Sequence, residues 1–212
     1  MGACTLSSWN YVYSNNYAAG SWTEEQRANN VDIIASYFNS KGWVPRSIAA
    51  MLGNMQAESY INPGQWEHTG TVDVSGGFGL VQWTPFTKFR DWCAPQHGGM
   101  WKFQFNAQLD RIQWELENGE QWITVIGGSF YDFAHNTGDW DIDYLTEMWE
   151  RNYERPASYG DLSIRQQNAR HWLAYLTGEP IEPWEPPYNP PDPGTTRKIP
   201  IWLLFKMKEA NQ

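Results

Sequence analysis

The sequence predicts a mainly α-helical domain with one small inserted β-hairpin, followed by a Pro-rich linker and a short C-terminal tail. Three observations predict it. Apolar residues recur at helical spacing through most of residues 23–178, with recognisable caps. The period shifts towards 2 once, between residues 69 and 83, where Gly76-Gly77 can turn the chain. Eight of the 13 prolines then fall between Glu179 and Pro200, a density that favours extended polyproline over a packed element.

The elements follow in order. Residues 1–22 form an aromatic-rich arm with no helical period, in which Trp9, Tyr11, Tyr13, Tyr17 and Trp22 pack on the domain or offer stacking faces. Thr23-Glu24-Glu25-Gln26 has the form of a capping box, and Ala28, Val31, Ala35 and Phe38 share one face up to Gly42. Pro45 suits a first helical position, and Ile48, Met51, Leu52 and Met55 follow at i, i+3, i+4 and i+7. Val72-Asp73-Val74 alternates, and Phe78, Leu80 and Gln82 would share a strand face, giving the hairpin. Thr84-Pro85 opens a third helix carrying Phe89 and Trp92. Phe105, Leu109, Ile112 and Leu116 mark a fourth, ended near Gly119. Two more helices are expected around 129–137 and 141–155, the second stopped by Pro156. Asp161 caps a last helix with Leu162, Ala169, Trp172, Leu173 and Leu176, closed by Gly178.

Composition excludes several partners. A net charge of -9 and a pI near 4.9 argue against a nucleic-acid surface. Mean hydropathy of -0.63, with no long apolar run, argues against a membrane-spanning helix. The first ten residues lack the basic and apolar regions of a secretory signal, so none is expected. Cys4 and Cys93 are too few for a disulfide scaffold and are read as unpaired thiols. The four histidines show no paired-ligand spacing, so neither a metal nor another cofactor is expected, and Cys93 and His97 carry little weight as a thiol site. The 14 tryptophans are the oddity. They suggest flat apolar faces offered to a partner with flat faces of its own.

Glu58 is the residue that the pattern makes awkward. Met51, Met55 and Glu58 lie at i, i+4 and i+7, so a carboxylate extends an apolar stripe. It also falls in the last helical turn, where the helix dipole disfavours an anion. Burial and the dipole act in the same direction, towards a carboxyl that keeps its proton for a leaving oxygen. The glycines after it would let a polymer approach the backbone. Gln82 offers an amide, and Trp66 and Trp83 offer stacking faces.

Gln56-Ala57-Glu58-Ser59, followed by Gly77-Phe78-Gly79-Leu80-Val81-Gln82-Trp83-Thr84, resembles the phage tail lysozyme family of peptidoglycan hydrolases. The Glu-Ser and Gly-Leu-x-Gln pattern is also similar to goose-type lysozymes and lytic transglycosylases. Ala49 to Asn54 and Tyr153-Glu154-Arg155-Pro156 fit the phage family too, so the likeness covers roughly residues 24–178. It implies a lysozyme-like catalytic domain over 23–178. Its activity would be cleavage of the β-1,4 bond between N-acetylmuramic acid and N-acetylglucosamine in bacterial peptidoglycan. Glu58 would then be the general acid, with Gln82 and Gly79 lining the glycan cleft.

A second carboxylate is usual for glycosidases. Asp73 is the candidate, on the hairpin expected to form the opposite wall, and Glu67, Asp91 and Glu154 are fallbacks. Goose-type enzymes commonly carry an Asp just after their Gly-Leu-x-Gln run, where this chain has Trp83-Thr84. One Glu serving as acid and then base would give a 1,6-anhydro product, as in lytic transglycosylases. A catalytically silent glycan-binding or tail-structural module is the remaining alternative. The resemblance places the protein in a phage virion tail or in host cytoplasm before release to the wall. Residues 179–200 form the linker. The basic, apolar tail at 201–212 is expected to dock on the domain, on a phage tail protein or on a membrane surface.

Overall fold

The computed structural model describes residues 8–11, 23–67, 75–97, 105–156 and 160–180. Seven α-helices are present among them: α1 Glu24–Ser40, α2 Pro45–Ser59, α3 Thr87–His97, α4 Phe105–Asn118, α5 Phe130–His135, α6 Ile142–Trp149 and α7 Leu162–Thr177. α6 runs straight on into a π-helical turn over Glu150–Glu154.

The central element is α2. Every residue from Ser47 to Met55 is buried, and α7, α6, α1 and α5 all pack on it. A helix buried around its whole circumference belongs in the middle of a domain. Small residues set how closely its neighbours approach. A Cβ at Gly53 would lie 2.5 Å from the Arg165 carbonyl oxygen and 2.7 Å from the Ala169 Cβ, so glycine is what brings α7 against α2. Trp172 of α7 then donates to Gln56 Oε1 at 2.6 Å, and Gln56 Nε2 donates to Asn168 at 3.1 Å. Around this pair the core is aromatic. Trp43, Trp149 and Phe133 pack together, and Trp149 stacks on Tyr153 with centroids 4.2 Å apart.

The expected capping box forms: Gln26 N donates to Thr23 Oγ1, and Thr23 N donates to Gln26 Oε1 at 2.8 Å. Pro45 is the first residue of α2. Asp161 precedes α7 but makes no capping bond, because its carboxylate is drawn to Arg165, 3.0 Å away. α3 starts at Thr87, after a cis Thr84–Pro85 bond.

The inserted β-hairpin is overturned. Among the described residues there is no β-strand, and Phe78 makes only single antiparallel bridges to Trp66 and to Trp83. The reason lies in the backbone between them. Gly79 and Gln82 both adopt left-handed conformations, with φ of +83° and +50°, so the segment curls back and Trp83 N donates to Phe78 O. Leu80 and Val81 are both buried, which no strand with alternating faces would allow if one face met water. Val72-Asp73-Val74 lies outside the described residues, as do the linker, the tail and most of the N-terminal arm. Of that arm, Trp9 donates to Asn106 at 2.7 Å and Tyr11 packs on Phe105. Cys93 is a buried free thiol. No described helix is long and apolar enough to cross a membrane.

Candidate active site

The end of α2 is where the chain's chemistry gathers. α2 stops because Tyr60 and Ile61 both turn left-handed, and the cap N–H of Tyr60 returns to the carbonyls of Met55 and Gln56. Glu58 is thereby held in the last turn with its side chain 21% exposed. The hydroxyl of Ser59 is fully buried within reach of the carbonyls of Met55 and Leu80, at 3.0 and 2.9 Å. This hydroxyl fastens the helix end to the glycine-rich segment. It gives a physical reason for Ser to follow Glu in the motif.

The glycine-rich segment is knitted internally. Gln82 Nε2 donates to Gly79 O at 2.8 Å and to Gln65 O at 3.2 Å, while its Oε1 is buried without a hydrogen-bond partner. The place a Cβ would occupy at Gly79 is filled by Gln108, whose Oε1 accepts from Leu80 N at 2.8 Å. Trp66 is 8% and Trp83 3% exposed. Trp66 packs against Phe78 and Phe86, and Trp83 stacks on Phe89 with centroids 5.0 Å apart. Their faces are thus largely covered by protein.

Glu58 faces α7. Arg165, with a side chain 5% exposed, donates from Nη2 to Glu58 Oε1 at 2.7 Å and from Nη1 to Asn54 at 3.1 Å. The same guanidinium lies 3.0 Å from Asp161 and, through Nε, 3.3 Å from Glu150. Its proton is held more firmly than usual by the surrounding carboxylates, chiefly Glu58 and then Asp161, against the opposing effect of burial. Glu150 is fully buried, and neither of its oxygens meets a donor in hydrogen-bonding geometry. Burial pushes its carboxyl up to about 7, with Arg165 opposing and Asp161 reinforcing the shift.

Glu154 completes the group. Burial, and after it the charge of Glu58, push its carboxyl well above the usual range, while Arg165 and a 2.7 Å bond from Trp149 Nε1 pull the other way. It lines a cavity of about 200 Å³ together with Gln82, Thr84, Lys88, Gln121 and Arg155. Of the other fallback carboxylates, Glu67 accepts from Gly77 N at 2.7 Å and Asp91 pairs with Arg90 at the surface. Asp73 falls outside the described residues. The structure thus brings Glu58, Gln82 and Glu154 to one end of α2. Among the described residues no cluster of three metal-ligating side chains occurs.

The phage tail lysozyme family matches residues 29–176. The chain belongs to that family. It is also 39% identical over 150 residues to morphogenesis protein 1 of Bacillus phage B103, an alignment spanning 71% of this chain and 40% of that protein. Membership supports a lysozyme-like muralytic role in general, and the matched span contains all the described helices except the first five residues of α1 and the last residue of α7.

The sequence reading does not single out Arg165, Glu150 or Glu115, although Arg165 and Glu115 carry a signal. Arg165 lies on the stripe of Ala169 and Trp172, Glu150 follows Thr146 at i+4, and Glu115 follows Gln108 and Ile112. Arg165 and Glu115 are charges beside apolar helical neighbours, the same test that singled out Glu58, whereas Glu150 has only Glu147, Thr146 and Asp143 at that spacing and is buried by tertiary packing.

Proposed function

We propose that the protein is a bacteriophage muralytic glycosidase that cleaves the β-1,4 bond between N-acetylmuramic acid and N-acetylglucosamine in bacterial peptidoglycan, with Glu58 donating the proton to the leaving oxygen. The observation that carries the reading is the convergence at the α2 terminus. Glu58 sits there in a half-buried position, orientated by a buried arginine, beside a second carboxyl and a polar cavity. Burial and, after it, the charge of Glu58 push the Glu154 carboxyl well above the usual range, so the site pairs Glu58 with a proton-holding group, as acid catalysis of glycoside cleavage requires.

In this reading Glu154 is the partner carboxyl, in the place for which Asp73 was the first candidate. Gln82 shapes the cavity wall from its left-handed position. Gly79 lets Gln108 close on the segment, Trp83 lines the cavity, and Trp66 packs on Phe78 and Phe86. Family membership and the likeness to a phage morphogenesis protein favour a site of action at the host cell wall, in a phage tail or released from the host. The peptidoglycan glycan strand and a phage tail protein are the partners this implies.

A second reading is favoured by one observation, the proton-holding environment of Glu154 on the cavity wall. There Glu154 donates and Glu58 serves as its negative partner. Release of soluble muropeptides from purified walls decides between them. Loss of about 10²-fold or more in Glu58→Gln with partial activity in Glu154→Gln supports Glu58 as the acid. The reverse order supports Glu154, and full activity in both variants removes the site from consideration. Mass spectrometry of the products separates reducing-end sugars from the 1,6-anhydro form.

A further inference from the structure

Arg165 is one guanidinium among several carboxylates, and the geometry distributes it unevenly. Nη2 reaches Glu58 at 2.7 Å and Asp161 at 3.0 Å, Nη1 is taken by Asn54, and Nε lies 3.3 Å from Glu150. Glu58 is partly open to solvent, Asp161 is 41% exposed, and Glu150 has no access to water at all. A carboxylate in that position without a well-formed hydrogen bond is costly unless it has a purpose or sheds its charge. Leu145, Met148 and Trp149 just before it are buried apolar groups, and Glu150 enters the same interior as an acid.

We propose that Glu150 is a positioning residue that acts through Arg165: by drawing on the Nε side of the guanidinium, it limits how strongly the Nη side binds Glu58. The proposal rests on the reading of Glu58 as a working carboxyl. An arginine paired with Glu58 alone would keep that side chain in place but also hold it in its charged form, unsuited to giving up a proton. An arginine shared with a second buried carboxylate keeps the geometry and relaxes the charge. The groups facing Glu150 all belong to this balance. They are Arg151 on its own turn, itself paired with Glu147 at 2.6 Å, and Asp161 and Arg165 on α7. Beyond Arg165 stand Glu58 at the end of α2 and Glu154 at the end of the π-helical turn.

The sign follows. The Glu150 carboxyl is raised to about 7, so it is neutral below that pH and draws on Arg165 above it. A neutral Gln in its place mimics the low-pH form at every pH. Wild type and Glu150→Gln therefore give equal turnover of purified walls below about pH 6. Above pH 8 the variant falls behind, by about tenfold in kcat, as the full guanidinium charge stays on Glu58.

Two measurements on the full chain test this. The first is the pH profile of kcat and of KM for both proteins, with Glu150→Met as a second neutral variant suited to an apolar site. Profiles that separate only above pH 7, alike for Gln and Met, support the proposal. Profiles that stay parallel, displaced by the same factor at all pH values, show a structural role and overturn it. The second is NMR of the Arg165 Nε–H resonance, assigned by its loss in Arg165→Lys. A wild-type resonance that moves with a midpoint near pH 7, and does not move in Glu150→Gln, supports the coupling even if Glu58 has another role. A resonance indifferent to pH between 5 and 9 in the wild type overturns it. Activity in Glu58→Gln equal to wild type would instead remove the reading of Glu58, independently of the NMR result.

Discussion

Glu150 also makes a prediction about stability that needs no substrate. Its carboxyl has an ordinary value of 4.5 and stands at about 7 in the fold, so the folded chain holds a proton that the unfolded chain releases. Below pH 4.5 both states are protonated and the residue carries no penalty. Between 4.5 and 7 the unfolded state is progressively favoured, and above 7 the penalty is complete. At about 1.4 kcal/mol per pH unit, the span corresponds to about 3 kcal/mol. The side chain is fully buried, so solvent screening does little to reduce this. Glu150→Gln keeps the shape and cannot ionise. Urea unfolding followed by tryptophan fluorescence should therefore give similar stabilities for the two proteins at pH 4. At pH 8 the variant should be more stable by up to about 3 kcal/mol, or roughly 6–12 °C in Tm. A difference that is constant across that range, or one in which the wild type gains with rising pH, refutes the assignment of Glu150 as a buried, proton-holding carboxyl.

Three further outcomes follow from the packing. Gly53→Ala forces a methyl to within 2.5 Å of the Arg165 carbonyl oxygen, so thermal unfolding should show a loss of at least about 1–3 kcal/mol, with activity falling as α7 is pushed from α2. Glu115 is fully buried and accepts from Trp83 Nε1, Arg111 Nε and Tyr153 Oη; Glu115→Ala should cost about 3–5 kcal/mol in urea, and Glu115→Gln clearly less. Asn152 ties down residues 125 and 126 through Oδ1 and Nδ2, so Asn152→Ala should cost about 2–3 kcal/mol and open that stretch to limited proteolysis, read by mass spectrometry of the first cleavage sites.

The helices were legible because their signals are local. Thr23 and Gln26 cap α1 wherever α1 goes, and Pro45 starts α2 on its own fixed φ. The hairpin was misread because Phe78, Leu80 and Gln82 alternate in sequence while Gly79 and Gln82 turn left-handed in space. A period of 2 over five residues cannot distinguish a strand from a buried loop whose apolar residues all find the core. Glu58 was visible as a charge on an apolar stripe, but its guanidinium partner is 107 residues away, and no spacing rule connects α2 to α7. The tryptophans show the same limit. Composition suggested exposed flat faces, yet Trp43, Trp83, Trp149 and Trp172 are all at most 3% exposed, because the rings cover one another in the core, as Trp43 and Trp149 do, or pack on a phenylalanine, as Trp83 does on Phe89.

The π-helical turn bears on how the chain tolerates change. A turn of this kind holds one residue more than an α-helical turn, and here its side chains are directed to different neighbours. Glu150 meets α7, Asn152 holds the 123–126 stretch, Tyr153 reaches Glu115 of α4, and Glu154 stands in the field of Glu58 at the end of α2. Removing a single residue anywhere in 150–154 would return the stretch to α-helical phase and rotate every later position by about 100°. No single partner could then be recovered without losing the others. The stretch works as a length gauge, accepting substitution one side chain at a time but not a change in residue count, and length variation among functional variants should be absent there.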